Sequence, residues 1–314
     1  MDTVVLILAI GALFFILGKA ADIVVVNVRK LGERFGVRLF FLGIILGLLT
    51  SLPELSIAIN AAAYDATPLS YGNLLGGIIV LFGLIMGGSI VVNRKISTDG
   101  KTESIAPIAL FLCLPLLMSL DGSIGFLEGV ILIVAYFILV FFLHQDSSHE
   151  TAVFHVHITS AKLAKTIFLT AGGIAIVIAS ASILMRLSQT LLERYAVPAF
   201  IVGTLVFAIG TNLPEIMVTF RSWKRHIKEL SLSNLIGSAL ANVFIIGILA
   251  SIKTIPVSID AAYVSLIAIV VLLLAVFLRF YRTGKELTRR EGLVLIVMYL
   301  VFVGHQLAIT ALAR

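Results

Sequence analysis

Charge is scarce in this chain. Only 13% of its 314 residues are Asp, Glu, Lys or Arg, against 60% hydrophobic, where soluble domains carry about 25% charged residues. Too little polar surface is available to cover a soluble globule, so the composition excludes that class and requires apolar surroundings. Cysteine is nearly absent as well. Cys113 is the single one, which excludes an intrachain disulfide, makes cysteine chemistry an unlikely carrier of function and leaves the redox compartment open. Met1-Asp2-Thr3 lacks the basic opening of a secretory signal, and the apolar run behind it reads as a first membrane helix rather than a cleaved leader. No Ser/His pair and no pair of aspartates falls within the apolar runs, and His305 has no partner readable from the sequence, so an intramembrane enzyme is not the expectation. Prolines number seven, which makes two of them conspicuous: Pro53 and Pro214 each stand in the middle of an apolar run.

What is abundant is long apolar runs. They fall at roughly 3–27, 39–63, 70–92, 104–120, 122–143, 164–185, 197–220, 231–252, 259–281 and 291–312, each near the ~20 residues that cross a bilayer. The pattern predicts an all-α polytopic membrane protein of ten helices: a five-helix repeat at 1–143, a cytoplasmic linker at 144–163 and a second five-helix repeat at 164–314. An odd number of spans per half inverts the second repeat relative to the first. Eighteen of the 23 basic residues, from Arg29 and Lys30 through Lys95 and Lys224 to Arg289 and Arg290, fall on the side reached after odd-numbered spans. That side is then cytoplasmic, and both termini face outward across the cell membrane. The net charge of +6 is this bias; the lipid bilayer and inorganic cations are the expected partners, with no nucleic acid, no obligatory protein partner and no cofactor called for. In the linker, His144, Asp146, His149, Glu150, His155 and His157 could hold a regulatory metal, although a solvated connection is the simpler reading. Lys19 and Asp22, three apart in the first run, are placed to pair with each other.

The polar content that remains is concentrated and repeated. Thr50-Ser51-Leu52-Pro53-Glu54-Leu55 returns 161 residues later as Thr211-Asn212-Leu213-Pro214-Glu215-Ile216, and Asn73-Leu74-Leu75-Gly76 returns at the same offset as Asn234-Leu235-Ile236-Gly237. Two ungapped matches at one offset indicate an internal duplication. Each proline breaks its helix, freeing carbonyls of about Leu49 and Thr50 in one copy and Gly210 and Thr211 in the other. In hydrocarbon, a freed carbonyl persists where it lines a cavity or binds something. Thr50 with Glu54, and Thr211 with Glu215, are four apart and share a helix face. Each repeat thus offers a carboxylate, a hydroxyl and loosened carbonyls at mid-membrane depth, and an ionisable residue there is functional by default. Two such sets meeting form an all-oxygen cage of the kind Ca2+ prefers. Asn73 and Asn234 also have a plainer use, since an Asn beside glycines can simply hydrogen-bond across a close helix contact.

These paired motifs resemble the alpha repeats of the sodium/calcium exchanger family, within the calcium/cation antiporters, over nearly the whole chain. The resemblance implies electrogenic exchange of Na+ against Ca2+ by alternating access. It makes Glu54 and Glu215 the main Ca2+ ligands with Thr50 and Thr211 contributing, and has Ser51, Ser238 and Asn242 shape neighbouring Na+ sites. The chain departs from the family pattern at Leu49, where a glycine is usual, at Asn212, where a serine is, and at neutral Asn242, where an acid is frequent. It departs again along Gly76-Gly77-Ile78-Ile79-Val80-Leu81, where Gly77 and Leu81 replace a hydroxyl and an amide. Those losses imply fewer Na+ per cycle, or H+ in their place. A Ca2+/H+ exchanger using the same glutamates is the alternative, because burial and a nearby like charge both favour protonated carboxyls. The topology makes its own prediction: single cysteines at Asp121 and Lys253 label from outside, and those at Lys95 and Lys224 label only after permeabilisation. The reverse pattern would overturn the orientation.

Overall fold

The computed structural model describes residues 3–34, 51–97, 102–146, 160–195, 197–213, 215–216, 219, 228–284 and 286–312. Its helices follow the apolar runs: α1 Thr3–Arg34, α2 Leu52–Ala63, α3 Thr67–Asn93, α4 Thr102–Met118, α5 Phe126–Asp146, α6 Ser160–Tyr195, α7 Ala199–Thr211, α8 Lys228–Ile252, α9 Ala261–Gly284 and α10 Arg289–Leu312. Seven of these are long and apolar enough to cross a membrane, while α2, α4 and α7 are shorter apolar helices among the described residues. The chain is an integral membrane protein.

Helix ends differ from the expected spans where turns rather than hydropathy decide them. Pro68 opens α3 from its first turn, a position where a missing N–H costs nothing. The short 3-10 turn after α4 stops at Gly122, whose φ of 93° suits a residue without Cβ. Helix α6 runs well beyond the expected 164–185. Helices α5 and α6 also enter the 144–163 linker from both ends, while 147–159, with His149, Glu150, His155 and His157, lies outside the described residues. Only 52–63 of the expected 39–63 run is described.

Two small antiparallel ladders close the ends of the bundle. Strand β1 (Lys95–Ser97), after α3, pairs with β4 (Glu286–Thr288), before α10; β2 (Ser123–Ile124), before α5, pairs with β3 (Ile255–Pro256), after α8. Below them the helices touch at reciprocal glycines. A Cβ on Gly87 of α3 would lie 2.9 Å from the Gly292 carbonyl of α10, and one on Gly129 of α5 would lie 2.7 Å from that of Gly247 in α8. Small residues let these backbones approach, which is how helices gain contact in lipid. Near the β2–β3 end, the Tyr71 hydroxyl reaches the Pro115 carbonyl (3.3 Å) and the Tyr263 hydroxyl (2.9 Å), and Tyr263 also bonds Ser119. This buried cluster ties α3, α4 and α9 together.

The main core cluster draws on α2 to α5 and on α7 to α10, and contains no residue of α1 or α6. Those two helices lie against each other, and α1 meets the rest through a separate seam that includes Phe14, Leu17, Ile57, Leu69, Leu184 and Phe207. At the α2 end, Arg186 of α6 donates from Nε to the Tyr64 hydroxyl (2.9 Å), Gln189 Nε2 donates to the Tyr64 carbonyl (2.9 Å), and Lys253 pairs with Asp65. The Arg186 hydrogen bond holds the Tyr64 phenol below its ordinary pKa. Crowding at the glycine crossings makes a prediction. Gly129→Val should lower the melting temperature in detergent, a loss of about 1–3 kcal/mol typical of overpacking, while Gly172→Ala, where a Cβ meets nothing within 4 Å, should leave it unchanged.

Candidate cation site

The two motifs adopt one backbone shape. Ser51 precedes α2 at φ −90°, ψ 15°, and Asn212 follows α7 at φ −82°, ψ 9°. The Leu55 N–H donates to the Ser51 carbonyl and the Ile216 N–H to the Asn212 carbonyl, both at 3.0 Å. Helix α2 starts after Ser51, with Pro53 a first-turn residue, and α7 ends before Asn212. One expected free carbonyl is corrected: Gly210 C=O accepts from the Asn212 N–H, because the chain tightens at the end of α7. Thr50, Leu49 and Pro214 lie outside the described residues, as does the side chain of Asn234, whose backbone belongs to α8.

Helices α3 and α7 cross at glycines, and this crossing assembles the site. A Cβ on Gly72 would strike the Phe200 carbonyl, one on Gly76 would lie 2.6 Å from the Thr204 carbonyl, and one on Gly203 would strike the Leu69 carbonyl. Both helices pass through a π-helical stretch, Val80–Met86 and Gly203–Phe207, a local widening frequent at functional sites. The approach carries Asn73 to Thr211: the Thr211 hydroxyl donates to Asn73 Oδ1 at 3.1 Å. Ser238 Oγ donates to Glu215 Oε1 at 3.4 Å. Thr211 thus meets Asn73 of the other half, where helix spacing had paired it with Glu215. Glu54 and Glu215 lie close enough for Glu215 to feel the charge of Glu54, and Asp22 of α1 acts on Glu215 in the same way. Lys19 places its ammonium over the Phe15 ring, 5.6 Å from the centroid.

Glu54 is 2% and Glu215 1% exposed, and they are the only acidic or basic side chains among the buried described residues. Each keeps one carboxylate oxygen, Oε2, without a hydrogen-bond partner, and so does the Ser51 hydroxyl beside them. A buried unsatisfied polar atom costs about 1–3 kcal/mol, more when charged. Among the described residues, no three His, Cys, Asp or Glu side chains converge, so the donors here are oxygens of carboxylate, hydroxyl and amide, which suit hard cations. Two further hydroxyls escaped the sequence reading: Ser70 and Thr219, both buried and without a partner. The available signal was spacing, since Ser70 stands three before Asn73 and Thr219 four after Glu215.

The α3 wall departs from its expected reading as a stripped surface. The space that a Cβ on Gly77 would take is bordered by Asn242 Nδ2 at 2.6 Å and Asn212 Nδ2 at 3.3 Å. Asn242 Nδ2 donates to the Leu74 carbonyl (3.1 Å) and Asn212 Nδ2 to that of Ala208 (2.8 Å). The missing hydroxyl at 77 makes room for two amides.

The described residues thus form a bundle of apolar membrane helices with two buried carboxylates. The family model "Sodium/calcium exchanger protein" matches residues 5–144 and again 165–308, so the chain belongs to the sodium/calcium exchanger family. Among similar proteins, the sodium/calcium exchanger MaX1 of Methanosarcina acetivorans is 26% identical, with 95% of this chain and 96% of that one covered. An uncharacterized membrane protein of Methanocaldococcus jannaschii is 24% identical, covering 94% and 97%. A solved structure of the sodium-calcium exchanger NCX_Mj shares the fold, with a TM-score of 0.65 at 22% identity over 95% of this chain and 99% of that one.

The Thr211 contacts make a prediction. Thr211→Val keeps the shape but removes the hydroxyl, and should cost about 1 kcal/mol of stability and reduce the Ca2+-dependent rise in melting temperature. Thr211→Ser should retain both. Equal Ca2+-dependent shifts in all three proteins would remove Thr211 from the site.

Proposed function

We propose that this protein is a secondary active antiporter of the cell membrane that exchanges Ca2+, or a similar divalent cation, for Na+ at a site built on Glu54 and Glu215. The observation that carries the reading is the pair itself: two carboxylates from duplicated motifs, buried within range of each other's charge, each with one oxygen lacking a protein partner. Thr50, Thr211, Ser51, Asn212, Asn73, Asn234, Ser238 and Asn242 are the neighbouring groups assigned to this site. Two bare carboxylates cannot be sealed into low dielectric without compensating positive charge. Closure therefore requires a loaded site, and transport becomes obligatory exchange.

We read the scaffold as ten helices in two inverted repeats with both termini outside. Its support is reciprocal: β1 and β3, at equivalent positions 161 residues apart between Lys95 and Pro256, each pair with the strand preceding the last helix of the opposite half. The α1–α6 pair, packed apart from the main core, is the body free to shift against the rest and open the site to one side at a time.

Ca2+ uptake into proteoliposomes under an outward Na+ gradient, an outward H+ gradient or no gradient tests the reading. Uptake should require the Na+ gradient. Uptake driven by H+ alone would assign the coupling ion to protons, and uptake without a counter-gradient would make the protein a channel. Glu54→Gln and Glu215→Gln should each reduce flux to that of empty vesicles while the protein remains folded and monodisperse. Near-normal flux in either variant would sink the site assignment.

A further inference from the structure

The turn between α2 and α3 is gripped from two directions. Tyr64 closes the end of α2, and α6 holds it twice: Arg186 donates from Nε to the phenol oxygen and Gln189 donates from Nε2 to the backbone carbonyl, both at 2.9 Å. The Arg186 guanidinium also lies 5.9 Å from the centre of the Tyr64 ring, within range of attraction to its face. The next residue is held from elsewhere. Asp65 is ion-paired with Lys253, which follows α8, and stands at φ 58°, a left-handed backbone that a non-glycine residue enters at a cost. One peptide bond thus joins a contact of α6, which packs with α1, to a contact beside α8, whose side chains belong to the main core. Glu54 lies ten residues before Tyr64 on the same helix, so about 15 Å of α2 links this grip to the cation site.

The sequence of the other half lacks the side chains for the same grip. Helices α1 and α6 match at an offset of 160, where Glu33-Arg34-Phe35-Gly36-Val37 returns as Glu193-Arg194-Tyr195-Ala196-Val197. On that register Arg186 corresponds to Val26, while Tyr64, on the 161-residue offset of the glutamate motifs, corresponds to Arg225. Valine has no donor to offer, and an arginine side chain has no acceptor. In the inverted scaffold proposed above, the two access states arise by rocking one repeat against the other about a fixed site. A contact that one half can make and the other cannot therefore favours one state.

We propose that Tyr64, Asp65, Arg186, Gln189 and Lys253 form a clasp between the α1–α6 pair and the main core, which opens whenever the cation site changes access and which makes the present conformation the resting one. Tyr64 and Arg186 are positioning residues: they act on the site only through their hold on α2. This inference rests on the exchanger reading above, with α1 and α6 as the shifting pair, and adds the contact that resists the shift. One hydrogen bond of this kind is worth about two- to tenfold in an equilibrium.

The experiment uses the full chain in proteoliposomes and reads exchange of radiolabelled Ca2+ against equal Ca2+ on the other side, which reports the change of access without a net gradient. Tyr64→Phe and Arg186→Leu should each speed exchange by about two- to tenfold. The double variant should be no faster than the quicker single one, because both remove the same contact. In a Cys113→Ala background, Tyr64→Cys with Gln189→Cys, bridged by a short bifunctional methanethiosulfonate, should stop exchange, and a reductant should restore it. Unchanged or slower exchange in either single variant would overturn the resting-state assignment, and gains that multiply in the double variant would overturn the shared grip. Normal exchange in the bridged protein would show that α6 and the end of α2 never part, and would overturn the clasp. Each of these results leaves the exchanger reading standing. Absence of Ca2+ exchange in the unaltered protein would overturn that reading and this inference with it.

Discussion

Two carboxylates held in a medium that cannot solvate them is the constraint on which the structure turns. Glu54 and Glu215 sit in helices whose surroundings are almost wholly apolar, and an ionised group there is tolerated only against opposite charge or donors. The protein supplies part of that compensation through Ser238 and withholds the rest, leaving one oxygen of each glutamate open. Full satisfaction by protein groups would stabilise the fold and abolish any reason to bind an ion. Partial satisfaction leaves a buried negative pair whose compensation, on the proposed reading, comes from a bound cation.

Such a pair can be assembled only if backbone from different helices comes unusually close. Glycines do this at every crossing that matters: Gly72, Gly76 and Gly203 between α3 and α7, Gly87 and Gly292 between α3 and α10, Gly129 and Gly247 between α5 and α8. In lipid there is no hydrophobic force pressing apolar helices together, so association relies on packing of this kind. The same contacts set depth and register, because Asn73 meets Thr211 only when α3 and α7 touch backbone to backbone. A cage that depends on glycine crossings is held by rigid neighbours on one side, while α1 and α6 pack apart from them.

The motifs were legible because proline and glutamate in an apolar run have few benign explanations, and repetition at a fixed offset removes chance. The start of α2 after Ser51 follows from Pro53, a residue suited to a first helical turn. Contacts between halves were not legible in this way. Thr211 is four residues from Glu215, and helix spacing pairs them, yet its hydroxyl turns to Asn73 because helix crossing, not spacing, decides what lies opposite. Ser70 and Thr219 went unnoticed since a lone hydroxyl in a membrane helix commonly bonds its own backbone, as Thr204 does to Phe200. Gly77 was visible only as a missing hydroxyl; that amides from α7 and α8 fill the gap depends on where those helices lie, which no single segment encodes.

Comparing equivalent positions shows why the gap is filled from one half in particular. Ser51, Gly77 and Leu81 of the first half correspond, 161 residues on, to Asn212, Ser238 and Asn242 of the second. A site with true twofold symmetry would place two copies of one side chain across the axis, where two amides would compete for the same space or two glycines would leave a void. Here the halves have diverged in complementary directions: the first half gives up side chain at 77, and the second projects Asn242 and Asn212 into the space released. Gly77 opposite a small residue would leave a cavity that costs packing energy. The carboxylates, by contrast, are retained in both halves, while the wall around them has diverged.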